Sequence, residues 1–127
     1  MRIEVMIKDG FKIEAKIRGH LIKSDQDCDK GGEDCHANPF EYFLSSVGMC
    51  VAHYINAFCK QREIDTSKIK VLEHATRDEN NRLKIDFKIE LPSDFPEKYK
   101  GALLKAAEGC TVKKAITEGV DFKMELA

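Results

Sequence analysis

Residues 38–59 read Asn38-Pro39-Phe40-Glu41-Tyr42-Phe43-Leu44-Ser45-Ser46-Val47-Gly48-Met49-Cys50-Val51-Ala52-His53-Tyr54-Ile55-Asn56-Ala57-Phe58-Cys59. Asn38 is a good N-cap, Pro39 suits the first helical position, and Glu41, three residues after the cap, can close a capping box. Phe40, Leu44, Val47, Val51, Tyr54, Ile55 and Phe58 then recur at a helical period, which predicts one long helix ending near Arg62. From Tyr42 to Cys59 there is no Asp, Glu, Lys or Arg. A membrane-spanning helix needs about 20 mostly apolar residues, and Ser45, Ser46, His53 and Asn56 argue against one here. The stretch is expected to lie inside protein, with a second subunit helping to cover it.

Outward from this helix the pattern changes from helical to alternating. Ile3, Val5 and Ile7 alternate with polar residues, and Asp9-Gly10 signals a hairpin. Phe11, Ile13, Ala15 and Ile17 resume the alternation, and Gly19 precedes a short strand at 20–23. Residues 24–37 are polar and glycine-bearing, which predicts a loop. After the helix, residues 69–76 form a weakly patterned strand, Asp78-Glu79-Asn80-Asn81 a turn, and Leu83, Ile85, Phe87, Ile89 and Leu91 a clear one. Beyond Pro92 and Pro96 comes a helix with Tyr99, Leu103 and Ala107 inward, then a break at Gly109 and a short helix from Cys110. Gly119 ends that helix, and Val120, Phe122, Met124 and Leu126 predict a last strand. The order is β-β-β-α-β-β-α-α-β, an α+β fold in a single domain over residues 1–127.

The composition excludes several classes of function. The 127 residues carry 21 basic and 22 acidic side chains, for a net charge of -1. No basic cluster offers a nucleic-acid footprint, and neither a phosphate-cradling glycine loop nor a dinucleotide fingerprint is present, so no cofactor is expected. The N-terminus alternates charge with apolar residues and does not read as an export signal. A cytoplasmic protein with five reduced thiols is therefore expected.

Each cysteine has a plain reading beside a chemical one. Cys50, mid-helix among small residues, can be a small hydrophobe; burial raises a thiol's pKa, so a reactive Cys50 calls for a nearby cation. Cys110 follows Gly109 at a helix start, where free N–H groups favour a thiolate, so local sequence makes it the more reactive of the two. Cys28, Cys35 and His36 lack the spacing of an ordinary zinc site and read as exposed loop residues. Cys59 reads as core. His53 can act as a base toward Cys50 but reads better as a hydrogen-bonded core histidine.

Two segments together resemble the OsmC/Ohr-like proteins: Asn38 to Cys50, and Ala106-Ala107-Glu108-Gly109-Cys110-Thr111-Val112-Lys113-Lys114-Ala115-Ile116. The resemblance implies an intertwined homodimer with buried central helices that brings the two motif cysteines together. It also implies a thiol-dependent peroxidase that reduces organic hydroperoxides. In that scheme Cys50 attacks the peroxide, Cys110 resolves the sulfenic acid as a disulfide, and a dithiol reductant restores both thiols. Organic-hydroperoxide members carry a glutamate directly after the motif proline, and it helps hold an arginine over the reactive cysteine. Phe40 stands there in this chain, with Glu41 one residue on and about 100° round the helix; Arg18 is the nominated arginine. The pattern is nearer to the less characterised OsmC-like branch. A second reading stays open: a non-enzymatic dimer that binds a small apolar or acyl ligand at its interface.

Overall fold

The computed structural model describes residues 1–127, which form two compact units, Met1–Ser45 and Ser46–Ala127. In the first unit β1 (Ile3–Ile7), β2 (Ile13–Ile17) and β3 (His20–Ser24) make an antiparallel sheet in the order β1-β2-β3. Val5 lies opposite Ala15 and Ala15 opposite Ile22, so the aliphatic residues of all three strands except Leu21 share one face. The first turn closes through Lys12 N–H to the Asp9 carbonyl at 3.1 Å, with Gly10 at φ 59°. The second turn sets Arg18 and Gly19 at φ 48° and 85°, a pair of positive angles suited to a tight hairpin.

The polar stretch after β3 is more ordered than its composition suggests. Asp25 is almost fully buried and accepts hydrogen bonds from the N–H groups of Gln26 (2.8 Å), Glu33 (3.2 Å) and Cys35 (3.2 Å). These bonds, led by the one from Gln26, hold its carboxyl below the ordinary value. A 3₁₀ turn (Cys28–Lys30) follows, and Gly32 packs so tightly on the Gln26 carbonyl that a Cβ there would collide with it. Asn38 joins this corner to the helix start by donating from its side chain to Asp27 at 2.9 Å.

Helix α1 spans Pro39–Lys60. Its capping box forms as expected: Glu41 N–H donates to Asn38 Oδ1 at 2.9 Å, and Asn38 N–H donates to Glu41 Oε2 at 2.8 Å. Val47, Val51, Ile55, Phe58 and Cys59 are the buried side chains, at helical spacing. Another face is open, with Met49 64 % exposed and His53 exposed as well. The core position expected for His53 is thus corrected: its ring stands edge-on to Tyr54, 5.4 Å between centroids, on the uncovered side of the helix. No helix is long and apolar enough to cross a membrane.

The second unit sets β4 (Lys70–Arg77) antiparallel to β5 (Leu83–Glu90), with Val71 opposite Ile89 and Glu73 opposite Phe87. A 3₁₀ turn (Glu97–Tyr99) leads into α2 (Lys100–Ala107), and α3 (Thr111–Glu118) follows. The core gathers Val51, Ile55, Phe58 and Cys59 of α1 around Phe95, Leu103, Ala107 and Cys110. The α+β class matches expectation, but the last element differs. Residues 119–127 belong to neither sheet, because a strand exists only against a hydrogen-bonded neighbour and this segment has none.

Candidate functional site

The corner between α2 and α3 is the place where separate parts of the second unit converge on sulfur. Gly109 lets the chain turn there: a Cβ at this position would stand 3.1 Å from the Ala106 carbonyl and 3.4 Å from the Tyr54 ring. Cys110 is then the N-cap of α3, fully buried, and its Sγ accepts the Lys113 N–H at 3.3 Å. Cys50, half-buried on α1, places its Sγ 3.6 Å from the Thr111 hydroxyl and packs against the core cluster that holds Cys110. The two motif cysteines are therefore neighbours, and both are free thiols.

The start of α3 divides its donors between the two sulfurs, and this sets their acidities apart. Desolvation pushes the Cys50 thiol up. The Val112 N–H, the Cys110 thiol, and the hydroxyl and N–H of Thr111 outweigh it and hold Cys50 below its ordinary value of 9.0. Cys110 goes the other way. Desolvation raises it, the Lys113 N–H only partly offsets that, and the hydrogen bond and negative charge of Cys50 raise it further. The expectation from local sequence, that Cys110 is the better thiolate, is corrected. The helix start does favour an anion, but the net gain falls to the sulfur facing it from α1.

The other nominated residues lie in the first unit. Glu41 sits in the capping box, where only Oε2 is engaged. Arg18 is exposed at the β2–β3 turn and takes no part in the ion pairs of that sheet, which join Arg2 to Glu4 and both Lys8 and Lys23 to Glu14. Cys28 and Cys35 are exposed. Asp25, Glu33 and Cys35 bring possible metal-ligand atoms within 4.8 Å of one another. Both Asp25 oxygens already accept N–H groups, however, and Glu33 pairs with Lys12, so the cluster is satisfied as it stands. Burial pushes the Cys35 thiol up, and it does the same to Cys59 in the core.

Sequence reasoning missed two groups. Thr111 was adjacent to a recognised motif cysteine, and its position at the first turn of a helix was the available signal. Glu73 gave none beyond interrupting an apolar row. Its Oε2 enters the notch left by Gly48 on α1, where a Cβ would collide with it, and its Oε1 is buried with no hydrogen-bond partner. Desolvation raises this carboxyl, partly offset by the Gly48 N–H. Gly48 thus has a structural reason to stand mid-helix despite its low helix propensity.

The family model for the OsmC-like protein matches residues 31–125, most of the chain. The chain belongs to the OsmC-like protein family. No protein with a curated description matches it by sequence. Among solved structures, the OsmC-like chain is similar to an osmotic stress induced and detoxification response protein of Psychrobacter arcticus. The TM-score is 0.75 at 17 % identity, over 89 % of this chain and 85 % of that one. It is also similar to an OsmC like protein of Mycoplasma pneumoniae, with a TM-score of 0.71 at 16 % identity over 91 % and 86 %. A third is an organic hydroperoxide resistance protein OsmC of Legionella pneumophila, with a TM-score of 0.58 at 20 % identity over 95 % and 93 %. At these identities the likeness is one of fold.

Proposed function

We propose that this OsmC-like chain is a redox-stress protein that works as a homodimer and reduces organic hydroperoxides, with Cys50 as attacking thiol and Cys110 as resolving thiol. The observation that carries the reading is the meeting of two free thiols at the start of α3, with Cys50 Sγ 3.6 Å from the Thr111 hydroxyl and Cys110 Sγ accepting the Lys113 N–H at 3.3 Å. In the proposed reaction the Cys50 thiolate attacks the hydrogen-bearing oxygen of ROOH and the O–O bond breaks. Cys50 becomes Cys–SOH, and RO⁻ takes a proton from solvent to leave as the alcohol. The Cys110 thiol then attacks the oxidised sulfur, an S–S bond forms and water leaves. A dithiol returns two electrons and two protons, restoring both cysteines.

Arg18 and Glu41 enter this proposal as a pair supplied through the dimer. The guanidinium steadies the developing alkoxide, and the unengaged oxygen of Glu41 anchors it. The open face of α1 around Met49 supports the dimer, because an uncharged helix face of that kind is ordinarily covered.

One observation favours the binding alternative. Phe40 takes the place of the family's glutamate and stacks on Phe43, 5.7 Å between centroids, giving the head of α1 an apolar surface that suits an acyl ligand. Peroxide consumption with a dithiol supply separates the readings. Cumene hydroperoxide should be consumed faster than hydrogen peroxide, and Cys50→Ser should abolish turnover. Equal, slow consumption by the wild type and Cys50→Ser would leave the ligand-binding dimer.

A further inference from the structure

The groups that lower Cys50 belong to three consecutive residues. The Val112 N–H, the Cys110 thiol, and the hydroxyl and N–H of Thr111 all follow directly on Gly109. Whatever fixes this segment against α1 therefore governs Cys50, because a hydrogen bond weakens steeply as its geometry opens. α3 does little to hold its own start in place. It buries no side chain fully, Val112 and Lys113 are half-covered, and Lys114 to Glu118 are all exposed. Ahead of it Cys110 is anchored in the core.

Tyr54 meets the same corner from α1. An added Cβ at Gly109 would stand 3.4 Å from Cδ1 and from Cε1 of its ring, so the ring edge faces the glycine backbone with no side chain between them. Tyr54 follows Cys50 by four residues on α1, about 40° round and about 6 Å along the helix. Ring and sulfur thus lie on one side of α1, a single turn apart. The half-buried ring is itself braced by exposed His53, which stands edge-on to it at 87° with 5.4 Å between centroids.

We propose that Tyr54 is a positioning residue for the thiol site: its ring is the stop on which the Gly109 backbone rests, and it sets how residues 110–112 stand toward Cys50. The inference deepens the reading of Cys50 as the attacking thiol and rests on that reading for its consequence in turnover. The contact is made by ring carbons, so the ring matters and the phenol hydroxyl does not. With the ring removed, the corner relaxes toward α1 and the donors of Thr111 and Val112 lose their aim at Cys50 together.

The test follows alkylation of the Cys50 peptide by iodoacetamide against pH in the reduced full chain. Tyr54→Leu should move the inflection to higher pH and slow the reaction about fivefold at neutral pH, since two donors are weakened at once. Tyr54→Phe should match the wild type. Thr111→Val should cost less in the Tyr54→Leu chain than in the wild type, because a displaced hydroxyl has less left to lose. An unmoved inflection in Tyr54→Leu, an equal shift in Tyr54→Phe, or additive effects of Tyr54→Leu and Thr111→Val would each overturn the inference. A Tyr54→Leu chain that fails to fold overturns it as well, by assigning the ring to the core alone. Alkylation needs no peroxide. A shifted inflection in a chain that consumes no hydroperoxide therefore keeps the inference and removes the peroxidase reading, and turnover with an unmoved inflection does the reverse.

Discussion

Replacing Thr111 by Val tests whether the start of α3 makes Cys50 reactive. The change keeps the shape of the side chain and the backbone N–H and removes only the hydroxyl 3.6 Å from Cys50 Sγ. A hydrogen bond to a charged group contributes about 1.5–3 kcal/mol at good geometry, and one this long about 1 kcal/mol. Losing about 1 kcal/mol of thiolate stabilisation lowers the thiolate fraction roughly fivefold at a pH below the inflection. A more basic thiolate is also a better nucleophile, and with a Brønsted coefficient of about 0.4–0.5 this recovers roughly twofold. The net expectation is a two- to threefold slower alkylation of Cys50 by iodoacetamide at neutral pH, about fivefold less thiolate times about twofold better attack. The inflection of the pH–rate profile should move to higher pH. Alkylation is followed on the Cys50 peptide by mass spectrometry, so Cys28 and Cys35 do not interfere. Thr111→Ser, which keeps a hydroxyl, should restore most of the rate. An unchanged or lower inflection in Thr111→Val, or faster labelling of Cys110 than Cys50 in the wild type, would rule out activation of Cys50 by the start of α3.

Three other perturbations follow from the packing. The folded-state carboxyl of Glu73 lies above its ordinary value of 4.5, so the native state holds its proton more tightly than the unfolded chain. Stability should therefore fall as pH rises from about 4.5 through the folded value, and Glu73→Gln should flatten that loss in urea midpoints taken across the range. Gly32→Ala sets a Cβ against the Gln26 carbonyl and must disturb the Asp25 corner; faster hydrogen exchange at the Glu33 and Cys35 amides is the readout. Asn38→Ala removes an N-cap and should cost about 1 kcal/mol, seen as a lower urea midpoint.

Much of the architecture was legible because burial and periodicity agree in most of its elements. The helix from Asn38 carried its cap, its apolar period and its uncharged stretch in one place, and the structure keeps all three. β4 was faint for a physical reason: its inward row is Val71, Glu73 and Ala75, so a carboxylate and a methyl interrupt the aliphatic signal. The last strand shows the limit of pattern reading. Alternation reports which side chains want cover, but not which edge supplies the hydrogen bonds. The site divides in the same way. The cysteines were found through the motifs around them, and their closeness followed from the resemblance. Their relative acidity was not legible, because the donors that set it belong to the start of α3 and reach Cys50 across many intervening residues.

That arrangement also orders the two thiols in time. While Cys50 carries its charge, Cys110 is held up by desolvation first, and then by the hydrogen bond and negative charge of its neighbour. It therefore serves, in the proposed reaction, as a donor toward Cys50 and leaves the attack on peroxide to that thiol. In the proposed reaction, oxidation of Cys50 to a neutral sulfenic acid removes that negative charge. The Lys113 N–H still points at Cys110 from the start of α3, so the balance there shifts toward the thiolate. Cys110 becomes more acidic only after its neighbour has been oxidised, when a nucleophile is needed to form the disulfide. An attacking thiol that was permanently acidic at Cys110 would instead be exposed to over-oxidation alongside Cys50. The raised pKa of the second cysteine is thus part of the same device as the lowered pKa of the first.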